Sequence, residues 1–467
     1  MTINQNVIVD IDLLKKYDKP GPRYTSYPTA PQFHDGFDAV AMDEEMRISN
    51  ARDDAPDLSL YFHFPFCDSL CLYCGCNVVI TRTPSKIDEY LGYLKKEIDL
   101  IADYLPKNKT RYVRQFQWGG GTPTYLTAEN IRDIMGYIRN RFEFSDDVEA
   151  GVEIDPRELT SDRLLALRET GFNRASMGVQ DFNPLVQRTV NRIQPEELTR
   201  RHFETLKELG FGSLNIDLMY GLPHQSPGSF ERTIDSVIDI SPDRIALFNY
   251  AHVPWLKPHQ NYFKTDWLPT PETKLEILKL AIDRFTDAGY VFIGMDHFAK
   301  PDDELTLAQQ QRKLYRNFQG YSTRAGLDLY AMGVTSISQT QDVYAQNVKT
   351  LPDYYSRVSR GKLPVFKGYR LNADDQIRRW VITRLMCDFE LRPQEVEEAF
   401  HLDFASYFAE ELPKLDEFEG DGLLTREDNG IQVTPLGRLL IRNIAMTFDN
   451  YLKQKSSTKT PTYSRTV

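Results

Sequence analysis

Leu58-Ser-Leu-Tyr61-Phe-His63-Phe-Pro65-Phe-Cys67-Asp-Ser-Leu-Cys71-Leu-Tyr73-Cys74-Gly-Cys76-Asn77 is the stretch that decides the fold. Its first seven residues, Leu58–Phe64, read as an apolar strand. Four cysteines in ten residues follow at once, and Cys67, Cys71 and Cys74 form C-x3-C-x2-C. That spacing can hold three irons of a cubane and leave the fourth iron without a protein ligand, whereas an electron-carrying cluster normally takes four. An open iron is a reaction site. A loop of such ligands directly after a strand fits folds whose chemistry gathers at the carboxyl ends of parallel strands.

Other uses of these thiols fit less well. Zinc favours paired C-x2-C spacings from two loops, and the sequence has no second pair. Cys387, the remaining cysteine, lies in an apolar helical run and reads as a small buried hydrophobe. A redox pair at Cys71 and Cys74 would lack thioredoxin-like surroundings. A disulfide scaffold does not suit 467 residues with five cysteines.

Strands and helices alternate outward from this point. Strands are expected at Val113–Trp118, Asp147–Ile154, Arg174–Val179, Leu214–Met219 and Arg244–Asn249. Helices are expected at Ile87–Leu105, Ala128–Asn140, Ser161–Glu169, Pro195–Leu209 and Ser226–Ile238. Such βα repetition implies parallel strands with right-handed crossovers. A doubly wound sheet and an open barrel both satisfy it. Helix Thr270–Ala288 and strand Tyr290–Gly294 follow. Residues 300–360 mix short helices with Gly320, Gly326 and Gly333. Residues 372–452 read as a mainly helical domain, with helices at Asp375–Cys387, Pro393–Phe400, Phe404–Glu411, Leu412–Phe418 and Leu436–Tyr451. Thr434 is a candidate cap, and a small wing turns at Asn429-Gly430. Residues 453–467 are polar and expected to fray. Before the first strand, residues 1–57 hold short helices at Ile11–Tyr17 and Phe37–Ala51. Between these helices Gly21-Pro22-Arg23-Tyr24-Thr25-Ser26-Tyr27-Pro28-Thr29 is barred from regular helix by its prolines and glycine.

Several residues in the alternating region have chemical potential. Gly119-Gly120-Gly121-Thr122-Pro123 allows close backbone approach, but lacks the Lys-Ser/Thr ending of a phosphate loop. Glu153 ends a buried strand, where a carboxylate needs an ion pair or hydrogen bonds. The planar fork of Arg192 can clamp a carboxylate. Asp217, near the end of the fifth strand, suits ribose hydroxyls. His63 reads either as a core histidine or as a donor beside the cysteines.

The run from Tyr61 to Asn77 resembles the cluster motif of radical S-adenosylmethionine enzymes. From Gly21 to about Asp449 the chain is similar to the oxygen-independent coproporphyrinogen III oxidases. The resemblance implies an open six-stranded (β/α)6 partial barrel over 58–299, with an N-terminal substrate-covering segment, an extension over the pocket mouth at 300–371 and the helical C-terminal domain. It implies one [4Fe–4S] cluster on Cys67, Cys71 and Cys74, with Cys76 marking the oxidases without binding iron. Two S-adenosylmethionine molecules are implied. Tyr61, Tyr73, Gly120, Glu153 and Ile337 map to the first, and Gly121, Thr122, Gln180, Arg192, Asp217 and Ala251 to the second. A single-cofactor site would use most of the same residues. The implied reaction converts the ring A and B propionates of coproporphyrinogen III to vinyl groups through a 5′-deoxyadenosyl radical, giving protoporphyrinogen IX. No side chain is required as acid or base. Arg23, Tyr24, Thr25, His63, Cys76, His297 and Arg316 are candidates for contacting or supporting the substrate, since a macrocycle with four propionates needs arginines and aromatic walls; His252 is a further pocket candidate. The implied electron donor is a flavodoxin or ferredoxin, and the implied state is a monomer. A haem-trafficking paralogue and a haem-degrading radical methyltransferase are the competing family readings.

Composition narrows the remaining classes. With 67 acidic against 56 basic residues, the net charge of -11 argues against nonspecific nucleic-acid binding. The same balance argues against reading the C-terminal helices and wing as a DNA-binding module. No stretch approaches the about 20 apolar residues of a membrane span. The start lacks a secretion signal's basic and apolar regions. Reduced thiols and an oxygen-sensitive cluster lead us to expect the cytoplasm.

Overall fold

The computed structural model describes residues 9–107, 109–427, 430–452 and 463–466. Six parallel strands form its centre: β1 (Leu58–Phe64), β2 (Val113–Gly120), β3 (Phe144–Ile154), β4 (Arg174–Gln180), β5 (Ser213–Tyr220) and β6 (Arg244–Asn249). They lie side by side in chain order. A doubly wound sheet would reverse that order at a switch point, so the open barrel is the architecture found. Same-handed crossovers between sequential neighbours put the helices on one face and leave the other concave. Beyond β6 come the antiparallel β7 (Val291–Gly294) and β8 (His297–Ala299), with β8 between β6 and β7.

The sheet is larger than the sequence suggested. Residues 300–371 are not mainly short helices over a mouth. They supply β9 (Asp328–Met332), β10 (Ile337–Gln339), β11 (Val343–Asn347) and β12 (Val365–Arg370). β9 pairs parallel to β1, and the next three pair antiparallel in turn, extending the sheet to twelve strands. The reason is burial: every residue of β9 is buried, and the Arg111–Asp328 ion pair at its start has side chains 0% and 1% exposed. Asn50 and Tyr330 also accept from Arg111, which ties helix Ala39–Ala51 to this edge. The edges β12 and β7 do not pair with each other, so the barrel stays open. Hairpin Tyr315–Asn317/Gly320–Ser322 reaches back to the central strands: Gln115 donates to Ser322 Oγ and Thr323 bonds Glu149.

Alternation along the central strands separates two environments. Leu60, Phe62, Phe64, Phe116 and Trp118 are fully buried, and Trp118 packs edge-on to Phe172. The intervening residues include Gln115, Gln117, Glu149, Glu153, Arg174, Ser176, Ser213, Asn215, Asp217 and Arg244, all of which line one cavity. The helices begin where capping chemistry places them. Thr127 and Asn130 form a capping box for Ala128–Arg139, and Ser226 with Ser229 does so for Pro227–Ile240. Helix Pro184–Thr189 was not expected; Asn183 caps it and Pro184 opens it.

The N-terminal segment is tied into the fold. Tyr24 and Tyr27 are buried in the main core, Tyr24 donates to Asp449, and Asn450 N–H donates to Tyr27. Arg442 donates to the carbonyls of Gly21 and Pro22. Gly21–Thr29 therefore joins the C-terminal domain to the barrel. The chain's end joins in: Gly21 N–H donates to Ser464 O at 3.0 Å and Thr466 N–H to Lys19 O at 2.8 Å. Residues 464–466 are thus docked rather than frayed, because they complete that backbone pairing; residues 453–462 lie outside the described residues.

In the C-terminal domain, Ala373–Asp388 and Pro393–Phe400 are helical as expected. Leu424–Glu427 pairs with Gly430–Val433, and Glu390–Leu391 adds a third strand. Asn429, in the expected wing turn, lies outside the described residues. The expected long helix 436–451 is shorter, with a 3-10 turn at Gly437–Leu440 before Ile441–Met446. Thr434 Oγ1 accepts from Gly437 N–H, and a Cβ at Gly437 would sit 1.9 Å from Leu423 O, so close packing tightens this entry. Among the described residues no helix is long and apolar enough to cross a membrane.

Candidate active site

The cysteine loop leaves β1 and is fastened from outside. The short strand Phe66–Cys67 pairs with Val79–Ile80, closing the loop at its base. Lys257 donates to Cys76 O at 2.8 Å, His259 Nε2 bonds Cys74 O at 2.9 Å and Gln260 donates to Tyr73 O at 3.1 Å. Asn191 donates to Leu70 O at 2.8 Å. With its carbonyls held this way, the loop lines a cavity of about 480 Å³ with Cys67, Cys71, Cys74 and Cys76.

The thiol environments differ. Burial pushes the Cys67 thiol up to about 12, although Thr122 Oγ1 lies 3.3 Å from its sulfur. Arg157 Nη2 is 3.4 Å and Arg192 Nη1 3.6 Å from Cys71 Sγ. Cys76 hydrogen-bonds Cys74 and favours the Cys74 thiolate. A buried thiol ionises when a cation replaces its proton, and guanidiniums beside a thiolate offset the negative charge of a thiolate-bound group. Among the described residues no three His, Cys, Asp or Glu side chains converge as a single metal ion requires. Cubane thiolates attach to different irons and stand further apart than ligands sharing one ion. The donor set fits an iron–sulfur cubane.

Arg192 is buried and its fork is occupied. Nη1 donates to Asp155 Oδ2 at 2.8 Å and Nη2 to Gly178 O at 2.6 Å, while Nε has no partner. Asp155 also pairs with Arg157 at 2.7 Å. Burial opposes ionisation of Asp155, but Arg192 and Arg157 prevail and hold it at about 2. The sequence reading missed Asp155 and Arg157, although Val-Glu-Ile-Asp-Pro-Arg sets them just past the end of β3.

Glu153 has no ion-pair partner among the described residues. It accepts from Gly120 N–H at 3.0 Å, and burial lifts its carboxyl to about 7. The glycine run is explained chiefly by its neighbours. A Cβ on Gly119 would meet Glu153 at 2.7 Å, one on Gly120 the His63 ring at 2.6 Å, and one on Gly121 the Pro65 backbone at 2.7 Å. Gly120, Gly121 and Thr122 nevertheless line the cavity. Gln180 lines it with φ +67° and a buried, unpartnered Oε1. Asp217 accepts from Ser176 at 2.9 Å and Asn215 at 2.6 Å, and burial raises it to about 6.

Tyr73 and His297 also line the cavity, whereas Tyr61, His63, Ala251, Ile337, Arg23, Tyr24, Thr25 and Arg316 do not border it directly. Tyr61 OH and His63 Nδ1 are 3.3 Å apart, and His63 Nε2 is 3.3 Å from Asn77 O. Burial lowers His63 to about 4, so the ring is neutral behind Gly120. Ala251 is exposed after β6, and Ile337 packs beside Phe33 and Tyr344. Tyr24 is turned toward Asp449 rather than the cavity. Arg23 reaches its rim, pairing with Asp296 and standing over the Phe248 ring. His252 is beside Tyr250 and Phe263 and does not line the cavity, although their cluster packs against the lining Tyr73 and Met219.

Residues 61–237 match the family model described as Radical SAM superfamily, and residues 371–440 match the HemN C-terminal domain. The chain is 47% identical over 460 residues to the oxygen-independent coproporphyrinogen III oxidase of Synechocystis sp., covering 98% of this chain and 97% of the relative. It is 48% identical to the protein of that description from Escherichia coli K12, covering 97% of each. The Helicobacter pylori J99 protein is 43% identical, with 95% and 97% covered. A solved structure described as coproporphyrinogen III oxidase (HemN) from Escherichia coli, a radical SAM enzyme, aligns with a TM-score of 0.90 at 48% identity. It covers 96% of this chain and 100% of that one.

Proposed function

Because the chain belongs to the oxygen-independent coproporphyrinogen III oxidases of the radical SAM superfamily, we propose that its cavity holds the cluster on Cys67, Cys71 and Cys74. The chain carries out the oxygen-independent conversion of coproporphyrinogen III to protoporphyrinogen IX, and family membership implies a [4Fe–4S] cluster and S-adenosylmethionine. When bound, these two supply the 5′-deoxyadenosyl radical that takes a hydrogen from a propionate β-carbon. The observation carrying the assignment is the set of three loop thiols lining one cavity with Gly120, Glu153 and Asp217.

The chain's own residues bind, orient and shield. Tyr73 offers an aromatic face beside the cysteines. Gly120 and Gly121 offer backbone groups, and Glu153 stays within reach of a cationic amine because its present donor is one N–H. Arg192, braced by Asp155 and Gly178 O, retains an unpartnered Nε for a cofactor carboxylate. Asp217 and Gln180 suit hydroxyls and amides. A reading with two cofactor molecules assigns Tyr61, Tyr73, Gly120, Glu153 and Ile337 to one and Gly121, Thr122, Gln180, Arg192, Asp217 and Ala251 to the other; the outlying Tyr61, Ile337 and Ala251 would need to act from the cavity's edges. Cys76 serves Cys74 as a neighbour rather than iron as a ligand. Bound substrate closing the cavity would exclude water from a reactive radical. A flavodoxin or ferredoxin would deliver the electron to a monomer in the cytoplasm, where thiols stay reduced.

Anaerobic reconstitution with iron and sulfide, then incubation with S-adenosylmethionine, a reductant and coproporphyrinogen III, tests the assignment. Protoporphyrinogen IX and 5′-deoxyadenosine are expected. Haem binding without vinyl product would favour the trafficking paralogue, and loss of a haem substrate the degrading methyltransferase.

A further inference from the structure

One corner of the cavity holds buried nitrogens without partners, on His297 and Gln319 in its lining and on Arg316, which packs behind the lining Tyr321. His297, on β8, and Gln319 and Tyr321, on the hairpin, line the cavity beside Phe248. His297 Nδ1, Gln319 Nε2, and both Nε and Nη1 of Arg316 are buried without a hydrogen-bond partner. The residues are packed into one unit: the His297 and Tyr321 rings are 5.3 Å apart, and Arg316 stands 4.6 Å over Tyr321. Arg316 is 7% exposed, so water does not replace the missing partners from bulk solvent. Arg316 hydrogen-bonds Tyr321, but leaving its Nε and Nη1 buried without an acceptor is costly, and several unpartnered nitrogens in one unit favour an acceptor that arrives with a ligand.

The charge balance gives the ligand its sign. Arg23 stands 6.0 Å from the Phe248 ring and pairs with Asp296, while Arg442 behind it donates only to carbonyls. Burial, then Arg442 and Arg316, lower Arg23 below the usual guanidinium range. Burial and the nearby Arg316, Arg23 and Arg244 lower His297 to about 3, which leaves its ring neutral with one N–H to give. Arg316, Arg23 and Arg442 face Asp296, with Asp18 beyond Arg442, and this excess of guanidiniums favours an anion. The fork of Arg316 favours a planar one.

We propose that Arg316, with Gln319 and His297, anchors a propionate carboxylate that the reaction leaves in place. This rests on the function proposed above. The reaction removes two of the substrate's four propionate carboxylates as carbon dioxide. A carboxylate clamped by a buried guanidinium is ill placed to leave, but a retained one can hold the macrocycle through both rounds. The corner lies on β8 and the hairpin, whereas the cysteine loop follows β1 at the other end of the parallel run. Phe248 and Tyr321 give the adjoining apolar wall.

The test compares two ligands on the reconstituted full chain: coproporphyrin III, a tetracarboxylate, and its tetramethyl ester. Binding is followed by absorbance under anaerobic conditions for the parent, Arg316→Gln, Arg316→Lys and Gln319→Leu. Arg316→Gln should weaken coproporphyrin III at least tenfold and change ester binding less than twofold. Arg316→Lys should recover part of the loss, and Gln319→Leu should weaken the tetracarboxylate about threefold. Equal weakening of both ligands, or unchanged binding of the tetracarboxylate, would overturn the anchor. Should Arg316→Gln fail to fold, Gln319→Leu decides alone by the same ligand comparison. Failure of the parent to make protoporphyrinogen IX would instead remove the functional premise, and is read in a separate assay.

Discussion

Two buried polar clusters differ in one respect, and that respect separates framework from site. Glu97, 1% exposed, accepts from Gly333 N–H at 2.7 Å, Asn347 Nδ2 at 2.8 Å and Tyr354 OH at 2.5 Å. Asn347 donates again to Gly333 O and Ser336 Oγ. That cluster is closed, and it pins helices Pro84–Ala102 and Leu351–Val358 to the sheet edge. In the corner around Arg316, where His297, Gln319 and Tyr321 are half-buried, Arg316 Nε and Nη1 and Gln319 Nε2 have no acceptor. A protein has no stabilising reason to bury unpaired guanidinium N–H groups. The closed cluster serves the fold, and the open one waits for a ligand.

The comparison can be broken at several points. The cysteine loop would carry the cluster and should show the largest effect. Serine at Cys67, Cys71 or Cys74 should each abolish the iron–sulfur absorbance and all product, while Cys76→Ser keeps a cluster. Iron, sulfide and spectra on anaerobic preparations decide it, and loss of the cubane in the Cys76 variant alone would reverse the assignment. Arg192→Lys keeps the charge but loses the fork. It should weaken S-adenosylmethionine by about tenfold in equilibrium binding, and unchanged affinity would reduce Arg192 to a structural partner of Asp155.

The closed cluster should respond in stability instead. Tyr354→Phe removes a buried bond to Glu97 and should cost about 1–3 kcal/mol in denaturant unfolding, leaving cofactor affinity unaltered. The same cluster should also respond to pH. Burial lifts Glu97 from 4.5 to about 7 against its three hydrogen-bond donors. The folded protein then holds this proton more tightly than the unfolded chain, so the Glu97 contribution to stability declines as pH rises across that interval and stays low above it. Thermal midpoints of Glu97→Gln should be flatter with pH than those of the parent; parallel curves would contradict the assignment.

The sequence was most legible where one rule governed one element. Strands β1 and β6 and helix Ser161–Glu169 have the expected limits, because apolar runs there are bounded by turn residues. The added strands β9–β12 were obscured because their pairing is set by distant partners, such as Arg111 for Asp328. In the site, the cysteines announced themselves by spacing, and Arg316 and His297 by residue type alone. The polar lumen carried a readable signal that was passed over: every second residue of β4 and β5, Arg174, Ser176 and Gly178, then Ser213, Asn215 and Asp217, is polar or small. A packed barrel interior would place branched apolar residues there. Asp155 and Arg157 were hidden because their role depends on Arg192, which comes from another loop. Gly21–Thr29 could not be placed from sequence because an irregular composition suits a lid and a strap equally; Tyr24, Tyr27 and Arg442 show that it is strapped to the C-terminal domain.

A crystal structure of the anaerobic, reconstituted protein with coproporphyrinogen III tests the central contrast most directly. A propionate carboxylate should lie within hydrogen-bond distance of Arg316 Nε or Nη1, with another propionate turned toward Cys67, Cys71 and Cys74 and the Glu97 cluster unchanged. A macrocycle bound with all its carboxylates away from Arg316, and that corner still unpaired, would contradict the account.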